Sequence, residues 1–166
     1  MLNNYYLLEP SNKSYSVAEA TQKLENFCSY QERCHDEVVA KLRSMSMIPE
    51  AIDIIVVHLL QQNFLNEERF ARSFARGKHR IKHWGRIRIV NELKQRHISQ
   101  YNIKAGLSEM SIDEYTETFA ALASRHWQTI RESNKMKKRK KFCDFLLRKG
   151  FESDLVYNKA IELEHS

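Results

Sequence analysis

The sequence contains a row of arginines whose spacing suits the binding of phosphate groups. Asn66-Glu67-Glu68 is typical of a helix start, and Arg69, Arg72 and Arg76 follow at spacings of three and four, which places them on one helical face. Guanidinium groups in such a row can bind phosphate oxygens in pairs. Further basic residues follow at Lys78, Arg80, Arg86 and Arg88. We predict a strip that binds a nucleic-acid backbone; the alternative is a solvated helix face paired with the chain's own carboxylates, including Glu67 and Glu68.

Two other features could add to this strip. Arg86 and Arg88 stand at the start of a predicted helix, whose N-terminal amides also attract anions. Trp84, between the basic segments, is the best candidate for stacking on an unpaired base. Most aromatic residues at helical spacing are core residues, so the alternative for Trp84 is a packing role.

A second basic segment spans residues 135–149. Its run of charge includes Lys137, Lys138 and Arg139. Lysine attracts phosphates as a point charge and reads bases poorly, so we predict salt-sensitive contacts that are independent of nucleic-acid sequence. The alternative is a charged helix start, and the apolar spacing of Phe142 and Phe145 indicates that this segment is folded.

The positive charge of the chain is concentrated in these two segments. The 166 residues carry 27 basic and 21 acidic side chains, a formal net charge of +6. Segments 69–98 and 135–149 hold 10 and 8 basic residues but only Glu92 and Asp144 as acids, so they carry +16 while the remaining residues carry −10. This distribution favours a polyanionic partner.

Several functional classes are not expected. No glycine-rich phosphate loop or nucleophile elbow occurs, so we expect no enzyme activity, no cofactor and no small-molecule substrate. His79 and His83 are four residues apart, but basic residues crowd them and Gly77 and Gly85 are expected to flank a loop, so we predict no metal site. Three cysteines without a CxxC pair, no visible secretory signal and no apolar stretch of ~20 residues predict a cytoplasmic protein without a membrane segment.

Helices must position the basic residues. Only 4 glycines and 2 prolines occur, which is few for a β-rich fold. Ser16 to Glu19 and Ser111 to Glu114 match the capping box that begins a helix. Apolar residues recur at spacings of three and four, and no strand-like alternation extends over a useful length. The predicted fold class is therefore all-α.

One pattern occurs three times in the chain. Segments 38–42, 89–93 and 142–146 superimpose, and apolar residues follow five and ten positions after the leucine that ends each segment. We predict three tandem three-helix repeats, stacked into an elongated or curved array. The predicted boundaries are a lead-in at residues 1–13 and repeats at residues 14–64, 65–110 and 111–166.

The sequence resembles the RecX family of recombination regulators. Residues 64–71, Phe-Leu-Asn-Glu-Glu-Arg-Phe-Ala, are similar to the family's Leu-Asp-Asp-x-Arg-Phe-Ala, and residues 88–93 match its Arg-Ile-x-x-Glu-Leu. Residues 96–98, Arg-His-Ile, correspond to the family's Lys-Gly-Ile. The chain departs from the family pattern where Asn66-Glu67 replaces Asp-Asp and where His97 stands in place of glycine.

The resemblance implies a crescent of three tandem three-helix repeats. It further implies a protein without enzyme activity that binds the RecA recombinase and its filament on single-stranded DNA. Family members chiefly restrain ATP hydrolysis, filament growth and strand exchange. The main alternative is a non-specific nucleic-acid-binding helical repeat protein that competes for the template, and a third is a scaffold that binds an acidic protein.

Overall fold

The chain is helical throughout the part that the structure describes. A computed structural model describes residues 14–165, which form nine α-helices and no strand. In chain order they are α1 (Val17–Tyr30), α2 (His35–Ser44), α3 (Pro49–Gln61), α4 (Glu67–Lys82), α5 (Arg86–Lys94), α6 (Gln100–Leu107), α7 (Ile112–Thr129), α8 (Lys135–Lys149) and α9 (Ser153–His165). The predicted all-α class is confirmed. The predicted lead-in at residues 1–13 lies outside the described residues.

The described chain forms two compact units. The first comprises residues 14–31 and 35–65, and the second comprises residues 32–34 and 66–165. The core of the first unit is built from α1, α2 and α3 and includes Leu24, Val38, Leu42, Ile55 and Leu59. The core of the second unit is built from α4 to α9 and includes Phe70, Ile89, Leu93, Phe119, Phe142, Leu146 and Phe151. The basic segments all belong to the second unit.

Side-chain caps begin the helices where the sequence indicates. The Ser16 hydroxyl accepts a hydrogen bond from the Glu19 amide at 3.3 Å, and the Glu19 carboxylate accepts one from the Ser16 amide at 2.9 Å. Asn66 accepts from the Arg69 amide at 2.9 Å, and Ser111 caps α7 in the same way. Each cap satisfies a backbone amide that the first turn of a helix leaves without a partner. The three predicted helix starts are confirmed.

The same turn ends the second helix of each three-helix set. Four residues after the last buried leucine of α2, α5 and α8, the backbone is left-handed, at Ser46 (φ 59°), His97 (φ 56°) and Gly150 (φ 87°). The amide of the next residue donates to the carbonyl of that leucine over 3.1 to 3.3 Å. His97 therefore adopts the conformation that glycine usually takes at this position, and its departure from the family pattern preserves the turn.

Helix α4 is longer than the glycines suggested. The prediction of a loop between Gly77 and Gly85 is wrong for residues 77–82, because α4 continues through Gly77 to Lys82. A glycine inside a helix costs only about 1 kcal/mol relative to alanine. Burial of Ala75 and His79 on either side of Gly77 offsets that cost, so the arginines of α4 share one uninterrupted helix.

Candidate nucleic-acid interface

The central arginines of α4 bind carboxylates. Arg72 donates to Glu68, one turn earlier, at 2.9 Å and to Glu109, in the turn between α6 and α7, at 3.0 Å. Arg76 donates to the second oxygen of Glu109 at 2.9 Å. Hydrogen bonds from Arg72 lower the pKa of the Glu109 carboxyl, with Arg76 adding to the effect, so this carboxylate remains ionised at neutral pH.

The outer arginines of α4 are also paired. Arg80 donates to Glu114 in α7 at 2.6 Å, and this hydrogen bond lowers the pKa of the Glu114 carboxyl. Arg69 donates to Glu32 at 2.5 Å. We call Arg69, Arg72, Arg76 and Arg80 the paired row. These four residues are therefore paired with the chain's own acids, and a phosphate that binds here would compete with a carboxylate. Their contact with a nucleic acid stays a prediction.

A second set of basic side chains gathers where the start of α5 meets the end of α8. The guanidinium carbon of Arg88 lies 4.0 Å from the ring centroid of Trp84, and the ammonium of Lys78 lies 5.1 Å from the same ring. The ammonium of Lys149 donates to the carbonyl of Lys82 at 2.9 Å. The Lys82 side chain also lies close enough to Lys149 for their charges to interact. None of the cations of Lys78, Lys82, Arg88 and Lys149 forms an ion pair with a carboxylate of residues 14–165. We call Lys78, Lys82, Arg88 and Lys149, together with Trp84, the unpaired cluster.

Carbonyls near helix C-termini hold two cations of the unpaired cluster, Lys149 and Arg88. Lys82 is the last residue of α4, and its carbonyl accepts from Lys149. The carbonyl of Arg148, near the end of α8, accepts from the Arg88 guanidinium at 3.2 Å. The ends of helices carry partial negative charge, which favours these contacts. Burial lowers the pKa of Lys149, and the charges of Arg88 and Lys82 lower it further. A bound anion would relieve this repulsion.

Two glycines make the junction between α5 and α8 possible. The amide of Gly85 donates to the carbonyl of Lys149 at 2.8 Å. A Cβ atom at Gly85 would lie 2.2 Å from the Gly150 carbonyl oxygen, and one at Gly150 would lie 2.4 Å from the Arg88 amide nitrogen. Only glycine therefore allows the two backbones to approach this closely, and that approach places Arg88 beside Lys149.

The start of α5 is not free to bind an anion through its first amides. The Arg86 amide donates to the Tyr115 hydroxyl at 3.2 Å, and the Ile87 amide donates to the Gly150 carbonyl at 3.0 Å. The expectation that these amides attract a phosphate is therefore wrong. The Arg86 guanidinium lies 4.0 Å from the Tyr115 ring centroid, whereas the Arg88 guanidinium lies against the Trp84 ring. The two arginines therefore pack against different aromatic rings.

The basic run of α8 also contains both cations that are bound to a carboxylate and cations that are not. Arg139 pairs with Glu164 at 3.7 Å. Lys138 lies 4.3 Å from the Trp127 ring centroid, and the Lys137 amide donates to Asn134 at the helix start. Neither Lys137 nor Lys138 has a carboxylate partner within residues 14–165. These two lysines remain available to an anion.

The histidine and tryptophan candidates have packing roles. The Nδ1 atom of the buried His79 lies 2.9 Å from the Trp84 carbonyl oxygen. The His79 ring stacks on the Tyr115 ring, with centroids 5.3 Å apart. No group of three His, Cys, Asp or Glu side chains in the described residues is placed to hold a metal ion. The Trp84 ring packs edge-on against the Phe74 ring, with centroids 6.3 Å apart. The Trp84 ring also orients the cations of Arg88 and Lys78, which lie against it.

These observations first define a class: an all-α protein built from three-helix repeats, with a basic surface that the fold leaves partly unpaired. Residues 66–107 match the model for the second three-helix domain of RecX, and residues 113–158 match the model for the third. The chain belongs to the RecX family of regulatory proteins.

Individual relatives support this assignment. Regulatory protein RecX of Enterococcus faecalis is 27% identical over 150 residues, which are 90% of this chain and 56% of the relative. That of Finegoldia magna is 29% identical over 136 residues, 79% of this chain and 65% of the relative. The chain thus spans between about half and two thirds of the length of these relatives.

The fold is also found in solved structures. The crystal structure of RecX from Lactobacillus salivarius matches 90% of this chain with a TM-score of 0.75 at 24% identity, and the match covers 97% of that structure. A second crystal structure of a regulatory protein RecX matches 88% of this chain with a TM-score of 0.78. Among residues 14–165 no helix has the length and apolar character required to cross a bilayer.

Proposed function

We propose that this protein is a cytoplasmic regulator that binds the filament formed by the RecA recombinase on single-stranded DNA. In this role it restrains the filament's ATP hydrolysis, its growth and strand exchange. Membership of a family whose relatives are named regulatory protein RecX supports the regulatory role. The unpaired cluster carries the DNA part of the proposal, because four cations held together without carboxylates favour a polyanion.

Contact with DNA at the unpaired cluster is independent of base sequence. Lys78, Lys82, Arg88 and Lys149 would contact phosphates, and the Trp84 ring is already occupied by packing and by two cations. Affinity for a single strand should then fall with salt, with a log–log slope of about −0.7 for each phosphate neutralised. A filament offers the same surface many times, so several weak contacts can act together through effective concentration.

The experiment is a titration of the DNA-dependent ATPase of the cognate recombinase. The protein is added to recombinase on single-stranded DNA from far below to equal stoichiometry. Inhibition well below one molecule per recombinase, unrelieved by extra free DNA, is the expected result. The matched variants are Arg88→Gln with Lys149→Gln in the unpaired cluster, and Lys94→Gln with Lys104→Gln at exposed positions elsewhere in the same unit. Only the cluster variant should lose inhibition.

A second candidate function is simple competition for the DNA template. It is favoured by the unpaired cluster itself, since phosphates of free DNA and of filament DNA attract it in the same way. In that case inhibition appears only near saturation of the template, and added DNA reverses it. That outcome would contradict filament regulation while leaving DNA binding intact.

A further inference from the structure

A cleft of about 340 Å³ lies between the end of α7 and α8. Two exposed arginines, Arg131 and Arg148, line it. Its apolar part is formed by Ile130 and by Phe145, whose ring stacks on His126 with centroids 3.8 Å apart. The cleft therefore combines cationic walls with a ring-lined floor.

The charge of the cleft is not balanced from within. Neither Arg131 nor Arg148 forms an ion pair with a carboxylate in the described part of the chain. The carboxylate of the lining, Asp144, is bound by a lysine one turn earlier at 2.8 Å. The remaining lysine of the lining, Lys141, is bound by Glu132 at 2.8 Å. Two guanidinium groups are thus left to bind an anion.

The floor of the cleft is uncharged at neutral pH. Burial lowers the pKa of His126, and the nearby charge of Arg148 lowers it as well. The Nε2 atom of His126 is buried and has no hydrogen-bond partner among residues 14–165. A neutral imidazole stacked on Phe145 gives an apolar surface next to the two guanidinium groups, which suits a ligand with one anionic and one apolar part.

Phe145 joins the cleft to the unpaired cluster. The ammonium of Lys149 lies 5.6 Å from the centroid of the Phe145 ring on which His126 stacks. The backbone of Arg148 also connects the two regions, because its carbonyl accepts from Arg88 while its side chain lines the cleft. The cleft therefore adjoins the unpaired cluster.

We propose that this cleft binds one nucleotide of single-stranded DNA, with its phosphate between Arg131 and Arg148 and its sugar against the apolar floor. The proposal rests on the proposed function and names a contact within it. The cleft is at the lower end of the size range of small-ligand sites, which suits a single nucleotide. Guanidinium groups bind phosphate oxygens bidentately, and single-strand binding sites combine positive charge with rings.

The experiment measures the binding of a fluorescently labelled oligothymidylate by anisotropy from ~0.05 to ~0.2 M salt. The full chain is compared with the double variant Arg131→Gln, Arg148→Gln. The matched control is Arg125→Gln, Lys94→Gln, which removes two exposed charges from the same unit outside the cleft. The cleft variant should bind about tenfold more weakly, with a slope shallower by about 0.7 because one phosphate contact is lost, and the control should remain within about twofold of the parent.

The outcomes separate the two proposals. No binding by the parent protein would overturn the proposed contact with DNA and the cleft assignment together. Binding by the parent with equal affinities for the cleft variant and the control would overturn the cleft assignment alone. Loss of ATPase inhibition by the cleft variant with unchanged DNA affinity would make the ligand a protein, which also contradicts the proposal. A shift of the His126 ring resonances on addition of oligothymidylate, absent in the cleft variant, would support it.

Discussion

The paired row and the unpaired cluster both present positive charge, but the cations of the first are bound to carboxylates of the described residues and those of the second are not. In the paired row, Arg72 and Arg76 share Glu109 at 3.0 and 2.9 Å, and so join α4 to the turn before α7. In the unpaired cluster, Arg88 and Lys149 contact carbonyls and rings. A count of positive charges along the chain therefore overstates the charge available to a ligand, and the positions of the carboxylates decide which cations are available.

The largest effect should come from breaking the junction that builds the unpaired cluster. In Gly85→Ala the new Cβ would lie 2.2 Å from the Gly150 carbonyl oxygen, so α5 must move away from α8. Such overpacking costs about 1 to 3 kcal/mol of the free energy of unfolding, measured by urea denaturation. The matched control is Gly77→Ala, where a Cβ meets open space within α4 and should stabilise the protein by about 0.5 to 1 kcal/mol. Equal effects of the two substitutions would contradict the junction.

A direct comparison of the two regions should give the next largest effect. Arg88→Gln with Lys149→Gln should lower the affinity for single-stranded DNA by about tenfold and reduce the salt slope by about 1.4, because two phosphate contacts are lost. Arg72→Gln with Arg76→Gln removes the same number of charges but should change affinity by no more than about threefold, since both residues already bind Glu109. Anisotropy titrations over a salt series measure both. Equal losses would remove the distinction between the regions.

A smaller effect should follow when the paired row is released. Glu109→Gln keeps the shape of the side chain and removes the charge that holds Arg72 and Arg76. The freed guanidinium groups should raise DNA affinity by about threefold and steepen the salt slope by as much as about 0.7, one phosphate contact. Glu117→Gln, at an exposed position of α7, controls for the change in net charge. If both variants gain affinity equally, net charge and not pairing would explain the gain.

Local patterns in the sequence were sufficient for most of the fold. Caps such as Ser16 and Asn66 mark helix starts by contacts within three residues, and the superimposed leucines identify the core of each second helix. The error at Gly77 has a physical cause: the small cost of a glycine inside a helix is offset by burial of neighbouring side chains, which the local pattern does not reveal.

The candidate site was less predictable because its decisive contacts are distant in sequence. Glu68 could be paired with Arg72 from their spacing of four, but Glu109 lies 37 residues from Arg72 and carries no local signal. Lys149 and Lys82 add to the charge of the two basic segments, but no local pattern distinguishes them, because their contact spans 67 residues. The packing of α4 against α6 brings Glu109 to Arg72, whereas the close approach of α5 and α8 accompanies the contact of Lys149 with Lys82.

The smallest expected effect is a difference in pH dependence between the two regions. Arg72 lowers the pKa of Glu109, and Arg80 lowers that of Glu114, below the ordinary value of 4.5. A carboxyl whose pKa is lowered by folding binds fewer protons in the folded state, so its stabilisation is present above pH 4.5 and is lost as the pH falls through the folded-state pKa. Both pairs are partly exposed to solvent, which keeps the effect small.

Thermal melts between pH 3 and pH 7 would measure this difference. The gap in melting temperature between the parent and Glu109→Gln, Glu114→Gln should be largest at neutral pH and should close as the pH falls below 4.5, because the parent then loses the same charges. For Arg88→Gln, Lys149→Gln the gap should stay constant over this range, since neither residue titrates there and no carboxylate of the described residues pairs with them. A gap that closed in both variants would place an acidic partner in the unpaired cluster and remove its distinction from the paired row.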